Sequence, residues 1–270
     1  MTPMKKLSIA LATACASLAF AATPSMAIVG GTNAAQGEFP SVAEVTIAHS
    51  FLCTGTLIAP NTVLTAGHCG SITGGAGVAS PAAFPPQAID VRIGSNKPGQ
   101  GGDDVAVSKV TVEPSYLATD GYDITLLTLS RNSTMTPTKV SGASEEGLFA
   151  PATLEQIVGF GTTSSGGDLP DTLQKAQVPI TTDAYCSGAY STFESATQIC
   201  AGYDQGGTDT CQGDSGGPLF GRTATGELKV VGATSYGDGC AQAHKPGVYA
   251  RVGDDTLREW IRSQAPAAVD

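Results

Sequence analysis

Cations are scarce in this chain. Of 270 residues, 14 are lysine or arginine, against 24 aspartates and glutamates. Two of the cations, Lys5 and Lys6, lie at the extreme N-terminus, so beyond residue 27 the balance is 12 against 24, a net of −12. Nucleic acids and anionic membranes are held chiefly by Lys and Arg, so neither is expected as a partner. The acidic excess attracts cationic partners without identifying them. Histidines are equally few, at three, and no two cysteines stand in a Cys-x-x-Cys pair, which leaves zinc without a ligand set. No metal and no cofactor are expected. Long apolar runs are also lacking, with one exception at residues 7–22.

That exception follows the Lys pair, holds no acidic residue and is rich in Ala, Ser and Thr. It reads as an export leader over residues 1–27 and is too short for a permanent membrane span. Cys15 falls inside it, leaving Cys53, Cys69, Cys186, Cys200, Cys211 and Cys240. Six cysteines in an exported chain imply three disulfides, with fifteen conceivable pairings.

Downstream, short runs of Val, Ile, Thr and Tyr are punctuated by Gly, Pro, Asn and Asp, which predicts an all-β protein. Strands are expected near Val42, Val45 and Ile47, and over residues 56–59, 63–66, 105–107, 110–112, 124–129, 157–160, 177–180, 229–233 and 248–252. Residues 70–87 and 159–171 read as loops. One helix is expected at 254–264, capped by Asp254 or Asp255, with Leu257, Trp260 and Ile261 on one face. The six residues APAAVD after Gln264 are expected to fray.

The stretch DTCQGDSGGP at 209–218 carries the chemistry. Ser215 sits among small residues, which lets the N–H groups of Gly213 and Ser215 point at one spot, as an oxyanion requires. Serine is a weak nucleophile at neutral pH and needs a base. His68, in TAGHC, is the candidate, and a neutral imidazole needs a carboxylate to fix its tautomer. Asp123, in GYDITLL, enters an apolar strand where an unpaired carboxylate is unfavourable. Singly, each is ordinary: a turn, a structural histidine, a strand cap. Together they follow the order His, Asp, Ser, which marks one triad family.

With IVGG at 28–31, CTGTLIAPNTVLTAGHC at 53–69, YDITLL at 122–127, CAGY at 200–203, GGTDTCQGDSGGP at 206–218, SYGDGCA at 235–241 and KPGVYARV at 245–252, the chain resembles the trypsins of the chymotrypsin-like (S1) serine protease family, in their secreted microbial form with three disulfides. The resemblance runs from about residue 28 to 264. It implies two six-stranded antiparallel β-barrels packed side by side, barrel 1 at about 28–140 and barrel 2 at about 141–253, with a C-terminal helix. It implies that Ser215 attacks the scissile carbonyl, His68 shuttles the proton and Asp123 orients His68. This is the general triad scheme, carried over as it stands. Gly213 and Ser215 N–H groups would bind the oxyanion, and Ser235 would support Asp123. Asp209, Thr210, Gly237 and Gly247 would form a substrate pocket for Arg or Lys. The implied disulfides are Cys53–Cys69, Cys186–Cys200 and Cys211–Cys240. The implied activity is secreted, extracellular endopeptidase cleavage of protein and peptide substrates, by a monomer open to protein inhibitors.

Ile28 has its own implied role. Its freed amino group would pair with Asp214. Ala27 is neither Arg nor Lys, so the enzyme would not release Ile28 itself. Either a signal peptidase cuts after Ala27, or it cuts after Ala21 and another protease removes residues 22–27. Some features depart from the family pattern. Tyr236 stands where tryptophan is usual, Gly67 where alanine is common, and the loop after Cys69 is long. SNKPGQGGDDV at 95–105 lacks the flanking glutamates of the family's calcium loop, leaving Asp103 or Asp104 for a different site. Asn132-Ser133-Thr134 is a glycosylation sequon. Two rival functions stand beside the protease: a non-catalytic binding protein on the same fold, and an esterase or a protease of relaxed specificity.

Overall fold

The computed structural model describes residues 28–72, 82–116 and 118–270. The expected leader, its two cleavage points and part of the 70–87 loop lie outside the described residues. After a two-residue strand β1 (Thr32–Asn33), seven strands make the first sheet: β2 (Val42–Ile47), β3 (Phe51–Ala59), β4 (Thr62–Thr65), β5 (Ile89–Ile93), β6 (Asp103–Asp104), β7 (Val107–Val112) and β8 (Thr125–Leu129). Their order is β6-β5-β2-β3-β4-β8-β7, antiparallel throughout. The second sheet takes β9 (Leu154–Gly159), β10 (Gln174–Pro179), β11 (Gln198–Ala201), β12 (Pro218–Arg222), β13 (Leu228–Tyr236) and β14 (Gly247–Ala250), in the order β1-β10-β9-β12-β13-β14-β11. Among the described residues three α-helices accompany them, α1 (Gly67–Gly70), α2 (Asp183–Ala189) and α3 (Asp255–Gln264), with four short 3-10 turns.

Both sheets curl on themselves. In the first, Val105 N–H donates to Val91 O on β5, and the adjacent Ala106 carbonyl accepts from Ser130 N–H just past β8. In the second, an isolated bridge joins Ile180, just past β10, to Ala201 on β11. The two six-stranded barrels expected from the sequence are present. Each sheet also carries one two-residue strand, β6 or β1.

Consecutive apolar residues within strands follow from burial on both faces. Side chains alternate across a strand. Leu57, Val63 and Leu127 fill the first barrel, while their neighbours Ile58, Leu64 and Leu126 face a separate cluster shared with Val158, Phe160 and Phe220 of the second sheet. Phe39 stacks on Phe220 across that junction, ring centroids 6.0 Å apart. Leu257 and Ile261 of α3 are fully buried in the same cluster, each worth roughly 1.5–3 kcal/mol of burial.

Several expectations need correction. Residues 28–33 fall on the barrel 1 side of the expected boundary, yet β1 pairs with β10 and Ile28 packs in the second barrel. Gly159 ends strand β9 and Gly70 ends α1, so neither belongs to a loop. Asp254 takes the N-cap position of α3, but its side chain accepts no capping bond. The C-terminus does not fray. Ala268 and Val269 are buried, Val140 N–H donates to Ala268 O, and Asp270 is ion-paired with Lys139 and Lys229.

Candidate active site

Strands β4 and β8 are neighbours, with Thr65 opposite Thr125. The chain leaves β4 directly into α1, which carries His68, and enters β8 directly from Asp123. Register alone therefore brings the two side chains to one edge of the first barrel. Asp123 is buried and its carboxylate is fully engaged. Oδ2 lies 2.9 Å from His68 Nδ1 and accepts from Ser235 Oγ at 2.6 Å, while Oδ1 accepts the His68 backbone N–H at 2.9 Å. Ser235 comes from β13, so the second sheet completes the carboxylate's surroundings.

The electrostatics follow from these contacts. Burial raises the Asp123 pKa, but the His68 charge, its hydrogen bonds and Ser235 outweigh burial, and the net direction is down. For His68, burial disfavours the cation, yet the charge of Asp123 and its hydrogen bond prevail, and the pKa is raised. Nδ1 faces the carboxylate, so the neutral ring carries its proton there and leaves Nε2 as the acceptor. The imidazole keeps 37% of its side-chain surface, enough for a substrate to reach it.

Ser215 lies between Cys211 and β12. Cys69, next to His68, places its sulfur 3.8 Å from the Ser215 carbonyl oxygen. Thr54 on β3 holds the same turn from the first sheet: its N–H donates to Ser215 O at 2.9 Å and its hydroxyl to Gly213 O at 2.9 Å. Gly213 has φ +97°, a conformation disfavoured for any side chain, and a Cβ there would lie 2.9 Å from Gly161 Cα. Among the described residues, neither Gly213 N–H nor Ser215 N–H donates to a protein acceptor.

Beside this turn opens a cavity of about 170 Å³. Asp209, Thr210, Ser215, Gly237 and Gly247 line it, all anticipated, together with Gln212 and Gly239. Asp209 is buried, accepting from Thr210 N–H at 2.8 Å and Ala241 N–H at 3.0 Å. Burial outweighs those bonds and pushes its pKa up to about 6. A Cβ on Gly247 would stand 2.7 Å from Asp209 Oδ1, so only glycine leaves that carboxylate open. Asp214 is fully buried behind the turn. Its oxygens accept from Gly161 N–H and Cys211 N–H, both at 2.8 Å. Burial outweighs these bonds and lifts its pKa to about 7. Among the described residues it has no cationic partner.

Comparison with known proteins agrees with this geometry. The family model described as "Trypsin" matches residues 28–261. The chain belongs to the trypsin family. Among similar proteins, "Trypsin" of Saccharopolyspora erythraea is 42% identical over 245 residues, covering 88% of this chain and 100% of that protein. "Trypsin-1" of Astacus astacus is 38% identical over 248 residues, 88% of this chain and 100% of that protein. "Trypsin 5G1" of Aedes aegypti is 35% identical over 241 residues, 87% of this chain and 84% of that protein. The chain is a trypsin-like serine endopeptidase, in a family that acts on proteins and peptides.

All three family disulfides are present: Cys53–Cys69, Cys186–Cys200 and Cys211–Cys240. Tyr236, in place of tryptophan, meets Tyr190 edge-on at 5.6 Å and reaches Gln198 Oε1 with its hydroxyl at 3.4 Å. The stretch at 95–105 is held by hydrogen bonds of its own and to its neighbours: Ser95 Oγ accepts Lys97 N–H at 2.9 Å and contacts Gln100 O at 2.5 Å, and Gly99 N–H donates to Glu44 at 2.8 Å. Asp103 and Asp104, the alternative ligands raised from the sequence, are committed elsewhere. Asp103 accepts from Arg131, Ser133 and Thr134, and Asp104 pairs with Arg92 at 2.7 Å. These residues do not fit a calcium ion. Thr54 and Tyr249 were not anticipated. Tyr249 sits two residues past Gly247 on β14, the period that puts both on one face, and its hydroxyl lies 3.1 Å from where a Gly247 Cβ would be.

Proposed function

We propose that the chain is a secreted endopeptidase that hydrolyses peptide bonds after Arg or Lys through an acyl-enzyme. The observation that carries this is one cavity holding both Ser215 and the buried Asp209. A substrate ammonium or guanidinium at Asp209 presents its own carbonyl to Ser215. His68 Nε2 takes the hydroxyl proton as Oγ attacks, then gives it to the leaving amine. Asp123 and Ser235 hold His68 in the required tautomer. The free N–H groups of Gly213 and Ser215 receive the oxyanion, a contribution of about 100–1,000-fold in rate per donor. Water then repeats the sequence to release the acid.

In the same reading, residues 1–27 are the leader, with or without a propeptide at 22–27, and 28–270 form the peptidase. Six cysteines in three disulfides support an oxidising, extracellular destination. Ile28 supports the processing step. It is fully buried, Val29 exchanges two backbone hydrogen bonds with Asp209, and Ile28 has φ +55°, unusual for a β-branched residue. Cutting the preceding bond abolishes that φ and frees an amine for Asp214. The test compares peptides differing only at the residue before the scissile bond, with acyl-enzyme trapping by an organofluorophosphate at Ser215. Faster cleavage after apolar residues than after Arg or Lys refutes the pocket assignment.

A further inference from the structure

An enzyme cutting after Arg or Lys meets its own chain at high concentration, and beyond residue 27 that chain offers twelve such residues. We propose that their placement makes this enzyme a poor substrate for itself: no segment that an active site can readily bind carries a usable Lys or Arg. The inference rests on the Arg/Lys reading above.

A protease binds its substrate as an extended segment, so a regular element must first open locally, whereas an exposed loop needs little opening. Seven of the twelve lie in regular elements. Arg92, Lys109, Lys175, Arg222 and Lys229 are in strands β5, β7, β10, β12 and β13, and Arg258 and Arg262 are in α3. Two precede proline, in Lys97-Pro98 and Lys245-Pro246. Proline has no N–H to offer an active site and restricts the residue before it.

The last three lie between elements but are tethered. Arg131 makes two bonds to Asp103, at 2.6 and 3.1 Å, and one to Asp104 O at 3.1 Å. Lys139 is ion-paired with Asp270, and its carbonyl accepts Val230 N–H at 2.9 Å. Arg251 spans Gln198 O at 2.9 Å and Asp183 at 2.8 Å, while its N–H is bonded to Thr197 O. Conversely, the connections at 66–88, 113–124, 160–173, 180–197 and 202–217 contain no Lys or Arg at all. They are rich in Gly, Ser, Thr and Ala, and their charged side chains, His68 apart, are all acidic.

The decisive experiment puts a cation into those connections. Ser165 and Ser191 are both exposed, in the 160–173 and 180–197 segments. Wild-type enzyme, Ser165→Arg and Ser191→Arg, each beginning at Ile28, are held concentrated and followed by intact mass. Each variant is expected to be cut after the substituted position at least ~10-fold faster than any cleavage of the wild type, since loop opening is far more populated than strand opening. Wild-type cleavage at the variants' rate after any of the twelve overturns the proposal, including Arg131, Lys139 and Arg251 and also Arg222, the exposed last residue of β12. So does absence of cleavage at the new positions, which assigns resistance to rigidity. Turnover of Arg- and Leu-bearing peptides in the same preparations keeps the two readings apart: without Arg-peptide cleavage the specificity reading fails, whereas Arg-peptide cleavage with rapid native nicking defeats only this one.

Discussion

Replacing Asp209 by serine should move activity and stability in opposite directions. A cationic side chain about 4 Å from the carboxylate, at an effective dielectric constant of about 20, gains about 4 kcal/mol. Losing that interaction lowers kcat/KM for an Arg peptide by ~10³-fold. A Leu peptide owes nothing to the charge and should be cleaved as well as before. The same carboxylate destabilises the empty enzyme. Its folded pKa of about 6 lies above its ordinary 3.8, so the folded state prefers the protonated acid. That penalty is absent below the unfolded pKa, grows as pH rises from there, and is complete above the folded one. It corresponds to about 3 kcal/mol. Asp209→Ser should therefore raise the unfolding free energy by ~1–3 kcal/mol at about pH 8 and by nothing near pH 3. Peptide pairs read the first effect and urea denaturation at the two pH values reads the second. Retention of Arg cleavage within ~10-fold of wild type refutes the pocket assignment, and a pH-independent stability change refutes the burial argument.

Other outcomes follow from the same geometry. Ser215→Ala should lower kcat by ~10⁴–10⁶-fold and abolish organofluorophosphate labelling, with folding intact by circular dichroism. Activity should fall as pH drops and His68 protonates, with the limb displaced above the ordinary histidine value of 6.5 by Asp123; a pH–kcat/KM profile checks this. Ser235→Ala removes the 2.6 Å donor to Asp123 and should cost roughly 10-fold in kcat/KM while moving that limb higher still, because an undersatisfied carboxylate holds the imidazolium more tightly. A Ser215→Ala chain beginning at Ala22 should lose ~2–4 kcal/mol more stability between about pH 3.8 and pH 7 than the same chain beginning at Ile28, because over that interval Asp214 ionises in the unfolded chain while burial keeps it protonated in the folded one. The Asp209 penalty is common to both chains and cancels in the difference, which matched denaturation curves read.

The nucleophile turn was legible because its requirements are local. A residue at φ +97° and paired free N–H groups demand glycine and small neighbours in sequence, and DTCQGDSGGP displays them. Strands buried on both faces were legible too, since β4 (TVLT) and β8 (TLLTL) hold only Thr, Val and Leu, with no charged residue to mark a solvent face. What escaped depended on partners far away in the chain. β5, IDVRI, carries Asp90 and Arg92 on its outer face, and β12 begins at Pro218, the last residue of the glycine-rich nucleophile stretch. α2, DAYCSGA, has Gly188 and no apolar stripe; its one buried residue is the bridged Cys186. The C-terminal AAVD looked loose because small residues carry little local preference, while the cleft that buries Ala268 and Val269 exists only after both barrels have formed. Thr54 left no signal beyond standing next to a cysteine.

The nucleophile turn is held from three sides, and in the proposed reading only one of them depends on processing. Thr54 reaches it from the first barrel with two hydrogen bonds to backbone carbonyls. The Cys211–Cys240 bridge ties it to the pocket wall. Neither needs a free N-terminus. The third hold is Asp214, whose two N–H donors satisfy its geometry but not its charge, which is why its pKa climbs to about 7. Ile28 belongs to the second barrel, the one that carries Asp214 and the pocket, so a new amine there acts within a single packed unit and does not have to move one barrel against the other. The barrel-spanning contacts at Thr54, Ser235 and Phe39–Phe220 can then stay fixed while the turn changes state. Pairing with a cation lowers the Asp214 pKa and converts a penalty on the folded chain into a neutral or favourable contact. On this account processing does not build the site. In the proposed reading it removes the uncompensated Asp214 charge from beneath a site whose framework already stands.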